Sequence, residues 1–94
     1  MGTVIAQTNF EDYDRFYETF STRGLEKRRE YGCRGVRILR DLGDPRRVVN
    51  IFDWDREDLE RFLEDPEVPE IMRAAGLRGR PEFTFVEEAA TLDA

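Results

Sequence analysis

The sequence predicts a small α+β domain, with four antiparallel strands in one sheet and helices on a single face of it. Three observations support this fold class. Strand-like and helix-like segments follow one another in the order strand, helix, strand, strand, helical pair, strand. Seven Phe, three Tyr and one Trp supply bulky core material, and a chain of 94 residues holds only one core. We therefore expect a single domain over residues 1–94, with 88–94 as a loose tail.

The first strand and the first helix are predicted from composition and spacing. Residues 3–9 mix small and β-branched side chains, as strands do. Asp12 can cap a helix that runs to about Tyr31, and Gly32 can end it. Side chains at spacings of three and four share one face of this helix, in the order Tyr13, Phe16, Tyr17, Phe20, Gly24 and then Lys27 or Arg28.

The second and third strands are predicted to form a hairpin. They cover residues 33–42 and 47–54, and Pro45 presets the backbone of the turn between them. Both strands are apolar on both faces: Val48 and Phe52 oppose Val49 and Ile51, and Val36 and Ile38 oppose Leu39.

A helical pair and a last strand complete the pattern. Asp55 can cap a short helix that stops near Asp65. Pro66 suits the first turn of a second helix, and Gly76 occupies its expected left-handed C-cap. After a loop over 77–81, residues 83–87 alternate as a fourth strand.

The resulting βαββαβ order is that of a ferredoxin-like sheet, in which both helical segments cover one face. The other face stays bare, and its apolar side chains form a patch that soluble monomers rarely tolerate. We therefore expect a homodimer in which two sheets pack face to face with twofold symmetry.

Composition excludes several classes of function. With 15 basic and 21 acidic residues, the formal charge of −6 repels phosphate backbones and anionic lipids, so neither nucleic acid nor a membrane is an expected partner. The absence of histidine excludes a Ser-His-Asp triad and any imidazole metal site. The lone Cys33 excludes an internal disulfide, and no signal-peptide pattern opens the chain, so we expect a cytoplasmic protein.

Six segments carry a resemblance to a known family: residues 12–16, 28–35, 44–45, 65–68, 72–76 and 81–82. Through them the chain resembles the dimeric α+β barrel superfamily, in particular the small bacterial proteins grouped with antibiotic biosynthesis monooxygenases and polyketide cyclases. The resemblance spans about Val4 to Glu88 and implies a fold, not a particular reaction. Relatives often have a histidine near position 8 and a tryptophan near position 16, where this chain has Thr8 and Phe16. Chemistry that depends on that imidazole is therefore not carried over.

The resemblance implies a small molecule bound between the sheet and the helices. A cofactor-independent oxygenase there needs an apolar, water-poor slot with a few polar groups, because the aromatic substrate supplies much of the reactivity. The expected lining is Tyr13, Tyr17, Asn50, Phe52 and Trp54, since aromatic bodies with polar tips suit flat, hydroxylated ligands. The alternative is core packing, which is the common role of aromatic residues at helical spacing.

Two polar side chains on the predicted strands need partners. Asn50 lies in a predicted central strand, where its amide either points into a pocket or bonds to neighbouring backbone or the dimer seam. Arg37 lies on the face opposite Val36 and Ile38, where it pairs with an anionic substrate oxygen or with a carboxylate of the second subunit.

The sequence leaves three functions open. They are a cofactor-independent monooxygenase or cyclase for an aromatic or polyketide-like substrate, a ligand-binding module without turnover, and a purely structural dimer. No catalytic residue is assigned and no cofactor is expected. Asp53, Asp55 and Asp58 do not match a calcium loop, and helix capping explains two of them, so no metal site is expected.

Overall fold

A computed structural model of the chain describes residues 2–94 and contains one four-stranded antiparallel sheet and four helices. The strands β1 (Thr3–Asn9), β2 (Gly35–Arg40), β3 (Arg47–Asp53) and β4 (Glu82–Val86) lie in the order β2-β3-β1-β4. Helices α1 (Tyr13–Phe20) and α2 (Arg23–Glu30) follow β1, and helices α3 (Arg56–Glu64) and α4 (Glu67–Ala74) follow β3. The predicted α+β class and the order of strands and helical segments are confirmed.

The prediction of one continuous helix up to Tyr31 is wrong at its middle. Ser21 Oγ donates to the carbonyl of Tyr17 at 2.6 Å, and Thr22 Oγ1 donates to that of Glu18 at 2.7 Å. Two adjacent hydroxyls thus compete for carbonyls that a continuing helix would use. Thr22 departs from helical geometry with φ −117° and ψ −93°. The segment therefore becomes two eight-residue helices.

Most helix caps follow the predictions, but Asp55, at the start of α3, makes no side-chain capping hydrogen bond and pairs with Arg34 instead. Asp12 accepts a hydrogen bond from the backbone N–H of Arg15 at 3.0 Å, which caps α1. Gly32 and Gly76 adopt φ of +81° and +76°, the left-handed conformation that glycine tolerates best after a helix. The second strand is shorter than predicted, because the N–H of Cys33 still bonds to the helix carbonyl of Arg28 at 3.0 Å.

Strand register decides which side chains face the helices. On the central strands, Ala6 pairs with Asn50, and Val4 pairs with Phe52. These four residues are all buried under the helices. The alternate positions point to the opposite face, which carries five apolar side chains: Ile5, Leu39, Val49, Ile51 and Val86.

Aromatic side chains build most of the core. Phe16 is 1% exposed, and its ring stacks on Phe10 at 4.6 Å and lies 4.8 Å from Phe20. Trp54 is buried to the same degree and donates its indole N–H to the carbonyl of Tyr31 at 2.9 Å. These rings join β1 and β3 to both helical segments.

An ionic network fastens α2 to the junction between α3 and α4. Lys27 Nζ lies 2.8 Å from Glu30, 3.1 Å from Asp65 and 2.9 Å from Glu67. The Tyr31 hydroxyl also donates to Asp65, at 2.8 Å. The backbone N–H of Glu67, with Tyr31 and Lys27, holds the pKa of Asp65 below its usual range. This network fixes the position of α2 over the sheet.

Within residues 2–94, no helix has both the length and the apolar character needed to cross a membrane.

Candidate functional site

A cavity of about 70 Å³ lies between the sheet and the helices. Its floor is the buried face of β1 and β3, and all four helices contribute to its walls. Most of the lining side chains are apolar; the polar ones are Thr8, Thr19, Arg28 and Asn50. The lining, apolar with a few polar groups, is that of a small-molecule site, but such sites usually measure about 300–1,000 Å³, so a ring system enters this cavity only if its walls move apart.

Asn50 is the central polar residue of this cavity. It lies on β3 between the cavity-lining Phe52 and the buried Val48, and it is only 2% exposed. Among the buried side-chain oxygen and nitrogen atoms of residues 2–94, its Oδ1 is the one without a hydrogen-bond partner. An unpaired buried carbonyl costs about 1–3 kcal/mol. The amide therefore offers an acceptor that a ligand can satisfy.

Phe52 and Trp54 supply flat apolar surface beside Asn50. Both line the cavity, with ring centroids 5.5 Å apart. The ring of Phe62 from α3 lies 4.9 Å from Trp54. Because the indole N–H of Trp54 already bonds to a backbone carbonyl, this residue contributes its ring face rather than a donor.

The other three residues expected at the site lie away from the cavity. Tyr17 is 49% exposed on α1, and Tyr13 stacks on it at 6.0 Å. The Arg40 guanidinium lies 4.5 Å from the Tyr13 ring centroid, so this pair forms a cation–π contact near the surface. Arg37 is exposed and pairs with Ile51 in register, which places it on the opposite face of the sheet. The structure thus brings Asn50, Phe52 and Trp54 together without these three.

Arg28 lines the cavity and was missed from the sequence as a site residue. It is only 5% exposed, and its guanidinium lies 3.8 Å from the ring centroid of Phe20. Burial lowers the pKa of Arg28 to about 10, which leaves it charged at neutral pH. The available signal was its spacing of four from Gly24 and eight from Phe20, which puts the three on one face of the continuous helix that the sequence predicts.

Neither the thiol nor the carboxylates add a reactive group to this cavity. Burial raises the pKa of Cys33, whose thiol donates to the carbonyl of Gly35 at 3.6 Å, so it stays protonated. Among residues 2–94, no three acidic, cysteine or histidine side chains are grouped to hold a metal ion.

Solved structures share this fold over nearly the whole chain. SnoaB, a cofactor-independent oxygenase from Streptomyces nogalater, is similar with a TM-score of 0.75 and 20% identity over 99% of this chain and 97% of that one. A protein described as an antibiotic biosynthesis monooxygenase is similar with a TM-score of 0.67 and 24% identity, over 96% of this chain and 100% of that one. An uncharacterized NIPSNAP domain protein from Burkholderia xenovorans is similar with a TM-score of 0.68 and 20% identity over 100% of both chains.

No protein-family model and no curated protein matches the sequence. Identities of 24% and below establish a shared fold and leave the reaction open. The NIPSNAP neighbour belongs to a differently named group with the same fold. The resemblance found in the sequence is confirmed at this level: the chain has the ferredoxin-like α+β fold of the antibiotic biosynthesis monooxygenase-like proteins.

Proposed function

We propose that this chain is a cofactor-independent monooxygenase or cyclase that holds a flat, hydroxylated aromatic or polyketide-like substrate in the cavity. The observation that carries the proposal is the unpartnered Oδ1 of Asn50 in an otherwise apolar space. A substrate hydroxyl that donates to this oxygen removes the cost of its burial. Phe52 and Trp54 provide the ring surface against which a flat molecule packs. The fold shared with SnoaB also supports the proposal.

An anthrone-type substrate fits such a site chemically. Its ring methylene gives a proton to a base in the solvent before the molecule binds, and the resulting carbanion is delocalised onto the ring oxygen. Dioxygen adds at that carbon and takes up the proton to form a hydroperoxide. The O–O bond then breaks, and the second C–H proton leaves with the hydroxyl as water, so that CH2 and O2 become C=O and H2O. The carbon loses the four electrons that dioxygen gains, so the substrate is its own reductant.

In this reaction the chain contributes binding and orientation. Asn50 Oδ1 accepts a hydrogen bond from a ring hydroxyl, and the surrounding rings keep bulk water from the carbanion.

Oxygen uptake with 1,8-dihydroxyanthrone tests this proposal. We expect wild-type protein to accelerate uptake and quinone formation, and Asn50→Ala to lower kcat/KM about 10- to 100-fold, since a hydrogen bond to substrate is lost. Asn9→Ala is the matched control, because it makes the same change at an exposed position of β1. Equal rates for wild type and Asn50→Ala would remove Asn50 from the site.

A ligand-binding module without turnover is the second candidate. The observation that favours it is the character of the polar lining: Thr, Asn and Arg side chains are not general bases at neutral pH. The same assay separates the two candidates. Binding of the anthrone without faster oxygen uptake supports the module and excludes the oxygenase.

We also propose that two copies of the chain pair through the bare face of the sheet. Ile5 lies directly opposite Ile51, and Val49 lies directly opposite Leu39, so their side chains form one continuous apolar stripe across three strands. Leu39 and Val86 are 42% and 37% exposed in the single chain. Pairing would remove this patch from water and supplies the reason for the homodimer.

Light scattering at micromolar concentration tests the pairing. We expect wild-type protein to have twice the 11.1 kDa mass of the chain and Ile5→Glu to have the mass of one chain. Ile5 lies opposite Ile51 and Thr84, so a carboxylate there would be buried in the pair without a cation opposite it, which is a large cost. Leu63→Glu is the control, since Leu63 is 40% exposed on α3, on the helical side. A monomeric wild type would refute the proposal.

A further inference from the structure

Arg28 is a buried cation without a buried anion. Arg28 takes part in none of the salt bridges found among residues 2–94, and the Cys33 thiol that hydrogen-bonds to it is itself neutral. The Phe20 ring at 3.8 Å and the position in the last turn of α2 offset part of the cost of burial. A buried charge is normally balanced by an opposite charge, so this one leaves a partner to be supplied.

The local backbone is arranged to admit this guanidinium. Gly24 lies one turn before Arg28, and a methyl group there would come within 3.0 Å of Arg28 Nη1 and 3.2 Å of the carbonyl of Thr19. Both contacts are closer than a side-chain carbon normally makes. The missing side chain at Gly24 and the break between α1 and α2 therefore let the charged group lie along the cavity wall.

Two polar groups of the same cavity thus offer a ligand opposite kinds of interaction. Asn50, on the sheet, presents an unpaired acceptor, and Arg28, on a helix, presents a cation with donors. A neutral hydrocarbon would leave both unmatched. A ring system that bears a hydroxyl and an anionic oxygen would match both.

We propose that the ligand of this cavity is an aromatic anion whose charged oxygen, a carboxylate or an ionised phenol or enol, pairs with Arg28. This inference rests on the proposed function, because it assumes that the cavity binds a flat aromatic molecule. It specifies that the molecule is negatively charged and that Arg28 is the residue that selects it. Charge-assisted hydrogen bonds between guanidinium and an anionic oxygen are stronger than neutral ones, especially away from water.

The intrinsic fluorescence of Trp54 provides the binding readout, because it is the single tryptophan and it lines the cavity. One pair of probes is 2-naphthoate and 2-naphthamide, which differ in charge at nearly constant shape. The second pair is 4-nitro-1-naphthol above its own pKa and its neutral methyl ether. The first pair tests a carboxylate and the second an ionised phenol. Each probe is titrated into wild type, Arg28→Gln and Arg29→Gln, where Arg29 is the exposed neighbour on α2.

We expect wild type to bind at least one anion about tenfold or more tightly than its neutral partner. Arg28→Gln should lose this preference while keeping the affinity for the neutral probes, and Arg29→Gln should retain it. The pair with the larger preference identifies the anionic group. Equal binding of anion and neutral partner by wild type overturns the inference while the proposed function stands. A preference that survives in Arg28→Gln overturns the role of Arg28, and no binding by any probe overturns both proposals.

Discussion

Replacing Asn50 with leucine is expected to raise the free energy of unfolding by about 1–3 kcal/mol and to weaken binding of hydroxylated aromatic ligands about 10- to 100-fold. Leucine has nearly the shape of asparagine and needs no hydrogen bond, so the change removes the unpaired Oδ1 of a residue that is 2% exposed. It also adds apolar surface to the cavity lining. A gain in stability together with a loss of binding is the result expected for a residue that binds ligand and destabilises the unliganded fold.

Urea denaturation followed by circular dichroism measures the change in stability, and Trp54 fluorescence measures the change in ligand binding. Asn9→Leu is the control, because Asn9 is exposed at the end of β1 and its replacement should alter stability by no more than about 0.5 kcal/mol. A loss of stability in Asn50→Leu would show that the amide is paired in the folded protein or across a dimer seam. The functional interpretation of Asn50 would then fail.

Phe16→Ala is expected to remove about 3–5 kcal/mol of stability, which is a large share of the total for a domain of this size. The ring is 1% exposed and packs between Phe10 and Phe20, so its loss leaves a void beside the existing cavity that the neighbouring rings cannot fill. The same substitution at Tyr17, which is 49% exposed on the same helix, should cost about 1 kcal/mol or less.

Urea midpoints of the two variants give the comparison directly, provided that the slopes stay equal to that of the wild type. A greater loss from Tyr17→Ala than from Phe16→Ala would contradict the orientation of α1. It would return Tyr17 to the interior, where the sequence had first suggested it.

The sheet could be predicted because its determinants are local. Strict alternation along β3 places Val48, Asn50 and Phe52 on one face, and the register confirms this. The break at Ser21 and Thr22 was not predicted, because helical spacing continues through it and the hydroxyls act on carbonyls one turn back. The adjacent Ser21 and Thr22, directly after the aromatic side chains of α1, were the sequence signal for this break.

The candidate site could be predicted only in part, for a reason of helix geometry. Spacing places Tyr13, Phe16, Tyr17 and Phe20 on one broad face but does not show which edge of it turns inward. Packing turns Phe16 and Phe20 to the cavity and leaves Tyr17 exposed. Arg28 is one of three consecutive basic residues in the last turn of α2, where the helix dipole favours positive charge, so its residue type alone does not single it out. Its burial depends on the whole tertiary arrangement.

The position of β1 in the sheet has a consequence for how the chain folds. This strand lies between β3 and β4, and its residue Thr3 pairs with Val86. Phe83 of β4 also lines the cavity. During synthesis, one edge of β1 therefore stays unpaired until β4 has left the ribosome, and closing this distant contact slows folding. A nascent chain stalled before β4 would expose both an open strand edge and an unfinished binding site, which makes it a target for chaperones and for aggregation.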